Sequence, residues 1–165
     1  MIRTVLFVLL ALVVAAALVV LAGQLGLLAG QAPSLGVRDG RLKPPSRTPN
    51  SVSSQAQLYP DHPQKAYAAI APLSFKGDPA KAMTTLAQVL AARPDCELKQ
   101  QTPDYLYATC RTQLLRFTDD LEFALDAPAG VIQLRSSSRL GHGDRGVNRA
   151  RMEAIRARFA QNQGG

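Results

Sequence analysis

The chain reads as an α+β protein in which an N-terminal transmembrane helix precedes a four-stranded antiparallel meander sheet covered by two helices. Three observations predict this. Val5 to Ala22 is an unbroken run of eighteen uncharged apolar residues, and apolar character continues past Gln24 to Leu28, long enough to cross a bilayer. From Cys96 to Ser138 the apolar residues recur with a period of two, the mark of half-buried strands. On either side of that stretch the period returns to that of a helix, first after Asp78-Pro79 and again after Gly146.

The N-terminal span is read as an uncleaved anchor over residues 1–29. A cleaved signal peptide has an apolar core of about 7 to 15 residues before a small-residue site. This core is longer, and its exit, Leu27 to Pro33, offers poor cleavage choices. The same exit resembles a lipoprotein box, but Gln31 stands where a lipidated cysteine would be required. Arg3 and the terminal amine precede the span while Arg38, Arg41 and Lys43 follow it, so flanking charge does not decide orientation.

Residues 30–60 turn to Pro, Gly, Ser and Arg, as in Lys43-Pro-Pro-Ser-Arg-Thr-Pro-Asn-Ser-Val-Ser-Ser54, and are expected to form a linker that ends in a docked loop. A single α+β domain is expected over 61–162, of roughly 105 residues, enough for one modest core.

Within that domain Asp78 is a helix N-cap followed by Pro79 at the first helical position, with Met83, Leu86, Ala87 and Leu90 on one face and Arg93-Pro94 as the stop. Strand registers follow from making apolar faces coincide, because a one-residue slip would invert every side chain. A turn at Pro103 sets Leu98 opposite Ala108 and Cys96 opposite Cys110. In an exported domain those two cysteines would form a cross-strand disulfide; in a reduced compartment they would be small buried residues.

The loop Ala127 to Gly130 sets Ile132 beside Leu125, Leu134 beside Phe123 and, on the opposite and outward face, Arg135 against Glu122. Asp119 interrupts the inward stripe opposite Ser138, so it needs donors from the arginine loop or a bulge that turns it outward. The final helix, from about Gly146 to Ala160, places Asn148, Met152, Ile155 and Phe159 on one face and Arg145, Arg149 and Arg156 on another.

Charge gathers at this end. The formal charge is +7, and from Arg135 onward seven arginines face only Asp144 and Glu153. An anionic lipid surface or an anionic solute meets such charge without reading sequence. Nucleic acid is disfavoured, since no aromatics alternate with the arginines.

Gly141-His-Gly143-Asp-Arg-Gly146 spells a dinucleotide fingerprint, but the chain has no second parallel strand to complete it. The turn's amides and the arginines can instead clamp a phosphate, sulfate or carboxylate. The competing occupant of those amides is Asp144, as an N-cap, which would leave the arginines to pair with Asp119, Asp120 and Glu122. His142 and Asp144 lie beside Ser136 to Ser138, yet neighbouring loop residues rarely reach triad geometry. His62 and His142 are far apart and no Cys/His spacing recurs, so neither a metal nor a cofactor is expected.

Pro49-Asn-Ser-Val-Ser-Ser54, Phe117-Thr-Asp-Asp-Leu-Glu-Phe123 and the run from Arg135 to Glu153 resemble, in order and spacing, the three signature blocks of domain-of-unknown-function family 1499. The resemblance covers roughly residues 40 to 160. The chain departs from the family pattern at Ser51, where a cysteine is common, and at Arg145, where an aromatic or aliphatic residue is usual. The resemblance implies no established activity, and it implies a small exported or membrane-tethered domain of bacterial envelopes, with relatives in chloroplasts.

The expectation is therefore a non-catalytic domain anchored in a bacterial inner membrane by a single pass, its soluble part periplasmic. It would bind an anionic small molecule, a lipid headgroup or an envelope protein through Arg135, Ser136, Ser138, Arg139, Asp144, Asn148 and Arg149. Two alternatives stand beside it. One is a hydrolase-like enzyme using Asp119, His142 and Asp144. The other is a purely structural network in which Asp119, Asp120, Glu122 and Asn50 satisfy the arginine block. The loop Pro49 to Ser54 is expected to pack on the edge of the Arg135 strand and lend it hydroxyls and the Asn50 amide.

Overall fold

The computed structural model describes residues 1–163. Helix α1, Ile2–Gln24, carries its leucines and valines outward. At 1.5 Å per residue it is about 34 Å long, and it is long and apolar enough to cross a membrane. A linker leads to strand β1 (Ser51–Ser53), a 3-10 turn (Ala56–Leu58), the short helix α2 (Lys65–Ala68) and strand β2 (Leu73–Ser74). Helix α3 (Pro79–Ala91) comes next, followed by strands β3 (Cys96–Gln101), β4 (Tyr105–Arg111), β5 (Thr118–Asp126) and β6 (Val131–Ser138), and finally helix α4 (Val147–Asn162).

The four meander strands pair antiparallel in the expected registers. Leu98 meets Ala108, Phe123 meets Leu134, Leu125 meets Ile132, Glu122 meets Arg135, and Asp119 meets Ser138. Cys96 faces Cys110 and the two sulfurs are bonded to each other.

The sheet has six strands, not four. β1 and β2 both pair antiparallel with the free edge of β6, β1 at Ser51 to Ser53 and β2 at Leu73 and Ser74. Between them the Ser54 amide donates to the Leu134 carbonyl at 2.9 Å, and the Leu134 amide donates to Ser54 Oγ at 2.8 Å, continuing the ladder through a side chain. Strands this short carry no readable period. Their pairing covers an edge that would otherwise be open to association.

One face of the sheet holds the main core. Leu106, Leu121, Phe123, Ile132 and Leu134 point from the strands onto Met83, Leu86 and Leu90 of α3 and Met152, Ile155 and Phe159 of α4. Each of these large side chains contributes roughly 1.5–3 kcal/mol when fully buried. Asp78 caps α3 by accepting from the Ala80 amide at 2.9 Å, and Pro79 opens the helix. α4 is stapled to the segment before β2, where Arg149 donates to the carbonyls of Ala69 and Tyr67 and Arg156 to those of Ala71 and Pro72.

The other face is covered as well. The linker crosses it with Leu42 buried against Tyr105 and Ala124. The Arg135–Glu122 pair, expected outward, is therefore buried: Glu122 is 0% and Arg135 7% exposed. Alternation assigned the correct face, and the covering layer comes from a segment with no period of its own.

Candidate functional site

Two copies of one polar arrangement stand two residues apart on the linker-covered face of β4, β5 and β6. In the first, Glu122 Oε1 accepts from the Tyr105 hydroxyl at 2.9 Å and from the Gly36 amide at 2.9 Å. Its Oε2 accepts from Arg135 Nη1 at 3.4 Å, and Arg135 Nε donates to the Pro44 carbonyl at 3.3 Å. In the second, Asp120 accepts from the Tyr107 hydroxyl at 2.7 Å and takes Arg139 in a fork, Nε at 2.9 Å and Nη2 at 2.7 Å. Arg139 also donates to the Tyr107 oxygen at 3.0 Å.

The sheet builds this pattern by geometry. Glu122 lies directly opposite Arg135, while each tyrosine sits diagonally from its carboxylate. Diagonal neighbours on one face lie about 7–8 Å apart, within reach of long side chains. The forked Arg139–Asp120 pair combines charge with directional bonding.

Protonation follows from these contacts. Burial, reinforced by the Asp120 carboxylate, pushes the Tyr107 hydroxyl up to about 12. Burial and Glu122 push Tyr105 well above the tyrosine range. Hydrogen bonding to Asp120 raises the Arg139 guanidinium, and burial lowers that of Arg135 against the pull of Glu122.

On the core face, Asp119 is 2% exposed and Arg151 Nη2 lies 2.8 Å from its Oδ2. That oxygen has charge compensation without an aligned hydrogen bond. The compensating charge comes from α4, not from the arginine loop or a bulge. Arg151 lies three residues past Asn148 on α4, so its position on the buried side was present in the helical spacing. Arg151 also approaches Asp95 at 3.9 Å.

Asn148 is the hub that joins the first and third signature segments. Its Nδ2 donates to the Asn50 carbonyl and Ser138 Oγ, each at 3.0 Å, and to Asp144 Oδ2 at 2.8 Å, while its Oδ1 accepts from the Ser136 hydroxyl. Asn50 Nδ2 donates to the Gly141 carbonyl at 2.8 Å.

Asp144 accepts from the amides of Gly146 at 3.0 Å and Asn148 at 2.9 Å, and from the Tyr67 hydroxyl. Burial pushes its carboxyl up, but the bonds from Tyr67, Asn148 and Gly146 outweigh that and hold it below the usual aspartate value. Those amides, open to an anion in the sequence reading, face this carboxylate. Tyr67, whose own hydroxyl is raised by burial and by Asp144, belongs to the corner without any local signal, because its partner is 77 residues away.

The expected ligand contacts thus fall into internal roles. Arg135 and Arg139 meet carboxylates, Arg149 meets backbone carbonyls, and Ser136, Ser138, Asp144 and Asn148 bond within the hub. His142 is exposed on the loop, while Asp119 and Asp144 engage different partners, so the residues of the hydrolase alternative do not converge. Asp95, Cys96 and Cys110 lie close enough to hold an ion, but the sulfurs are bonded to each other and supply no thiolate.

Fold and site define a small α+β domain behind a helix able to cross a membrane, its polar blocks turned onto one another. Residues 41–159 match the family model described as "Protein of unknown function (DUF1499)", and the chain belongs to this family. No curated protein matches it.

Proposed function

We propose that this protein is a non-catalytic, single-pass envelope protein that displays its α+β domain on the periplasmic side of a bacterial inner membrane, where an anionic or protein partner meets it. In this reading the signature blocks serve the fold. The observation that carries it is the use of five guanidiniums in and just after the last block: Arg135, Arg139 and Arg151 each hold a carboxylate, and Arg149 and Arg156 hold backbone carbonyls. An enzyme site needs groups left free to meet a substrate, and these five guanidiniums are already engaged inside the fold.

Two features support the periplasmic placement. The Cys96–Cys110 bond belongs to an oxidising compartment, and α1 supplies an anchor whose apolar side chains have no protein to pack against.

The test is topology and thiol state in cells. A C-terminal alkaline phosphatase fusion is expected to be active, the protein to stay with membranes through a carbonate wash, and Cys96 and Cys110 to resist alkylation until reduced. An inactive fusion with two alkylatable thiols would overturn the placement.

A further inference from the structure

Two arginines outside the signature block have no such internal use. Arg111 ends β4 and Arg116 sits in the loop before β5, and among the described residues neither guanidinium makes an ion pair or a hydrogen bond. Both line a cavity of about 260 Å³ whose other wall is the exit of α1, from Gly23 to Gly26 with Ala29. Two further cavities of about 190 and 590 Å³ also open onto this pair, on the side of Asp95. The nearby carboxylates are already engaged, Asp95 by Arg93 and Glu97 by Lys99.

The loop that carries Arg116 is fixed to the end of the helix. Gln24 Nε2 donates to the Leu114 carbonyl at 2.9 Å. Gly23 is packed so closely that a Cβ there would lie 2.4 Å from the Leu115 carbonyl oxygen. Arg116 adopts a left-handed backbone, φ +56°, closed by its amide donating to the Thr112 carbonyl at 3.1 Å.

We propose that this cleft seats the headgroup of an anionic phospholipid. The inference rests on α1 lying in the membrane. A helix of about 34 Å brings Gln24 to the headgroup level of a bilayer with a hydrocarbon core of about 30 Å. The last turn of α1 has no basic residue, so the cations at that level come from the β4–β5 loop. The carbonyl end of α1 opposes an anion with about half a charge, and two guanidiniums outweigh it.

A lipid fits better than a free anion because apolar side chains flank the arginines. Leu25 and Leu27 on the exit and Leu114 on the loop are 68%, 73% and 63% exposed. Beside bound phosphate alone these would face water, whereas at a membrane surface they enter the interface as the guanidiniums meet the headgroup.

The full-length protein in detergent, offered equal amounts of phosphatidylglycerol and phosphatidylcholine, is read by native mass spectrometry. Wild type is expected to retain phosphatidylglycerol by about thirtyfold over phosphatidylcholine, roughly a factor of five for each arginine at an anionic surface. Arg111→Gln with Arg116→Gln should erase the preference without changing the melting temperature, and Arg145→Gln, on an exposed arginine elsewhere, should keep it.

Retention by the double variant equal to wild type would overturn the proposal, as would an equal loss in Arg145→Gln. Displacement of the lipid by inorganic phosphate at matched concentration would make the cleft a free-anion site and overturn the lipid assignment. Release of wild type by a carbonate wash of cell membranes would instead refute the anchor beneath both readings.

Discussion

Arg139→Ala puts the internal-network reading at its greatest risk. The substitution removes both arms of the fork from Asp120, which is 1% exposed, and leaves that carboxylate with the Tyr107 hydroxyl alone. Breaking a buried pair by deleting one partner costs about 3–5 kcal/mol, because the remaining charge is desolvated without compensation. Against a total stability of about 5–15 kcal/mol that is a large fraction. At about 4 °C per kcal/mol for a domain of this size it lowers the melting temperature by roughly 12–20 °C.

Asp120→Asn is expected to cost less, about 1–2 kcal/mol, since the amide still accepts a hydrogen bond and the arginine can turn to water. The double variant should cost less than the sum of the singles by about 1.5–3 kcal/mol, because no uncompensated carboxylate remains. The assay is thermal and urea denaturation of the full chain in detergent, followed by near-ultraviolet circular dichroism. A loss below about 1 kcal/mol for Arg139→Ala, or strict additivity in the cycle, would refute the reasoning; those thresholds lie at the level of an ordinary surface pair.

Two further perturbations address the corner between β6 and α4. Because the folded Asp144 carboxyl is held below its unfolded value near 3.8, the stability it contributes is present above about pH 4 and is lost as pH falls through the folded value. The protection factors of the amides in the first turn of α4, taken relative to intrinsic exchange at each pH, should fall as pH drops below about 4, and Asp144→Asn should flatten that dependence; an unchanged slope in the variant would assign the acid sensitivity elsewhere. Asn148→Leu keeps the branching and heavy-atom count of the side chain but strips partners from the Ser136 hydroxyl, the Asn50 carbonyl and Asp144. At about 1–3 kcal/mol for each buried group left unmet, it should destabilise by at least about 3 kcal/mol in urea titration, and a loss under about 1 kcal/mol would remove Asn148 from its place as the hub.

Much of the scaffold was legible in local pattern. The apolar run marks α1, Asp78-Pro79 marks the start of α3, and the period of two from Cys96 to Ser138 yields the meander and its registers, down to Cys96 against Cys110 and Glu122 against Arg135. A wrong register would have put the apolar side chains on the wrong face, so one parity fits. Asn148, Met152, Ile155 and Phe159 likewise shared a face at helical spacing, and all are buried.

The run Arg135 to Arg151 looked like an anion site because guanidiniums and a glycine turn are the ingredients of one. Tyr105 and Tyr107 gave no such signal: they are the ordinary outward residues alternating with Leu106 and Ala108, and only a second layer over that face makes their hydroxyls buried donors.

Sequence by itself determined the long apolar helix, the meander and which residues share a face, since those follow from short-range pattern. Tertiary structure decided what each face meets. The linker from Gly36 to Pro44 buries the Glu122–Arg135 pair, α4 brings Arg151 to Asp119, and Tyr67 reaches Asp144 across the chain. Alternation reports only the side of a strand, and a side open to water and a side roofed by an irregular segment have the same period. The partners of these charges come from segments with no pattern of their own, so their neutralisation inside the fold became visible only once the chain was folded over them.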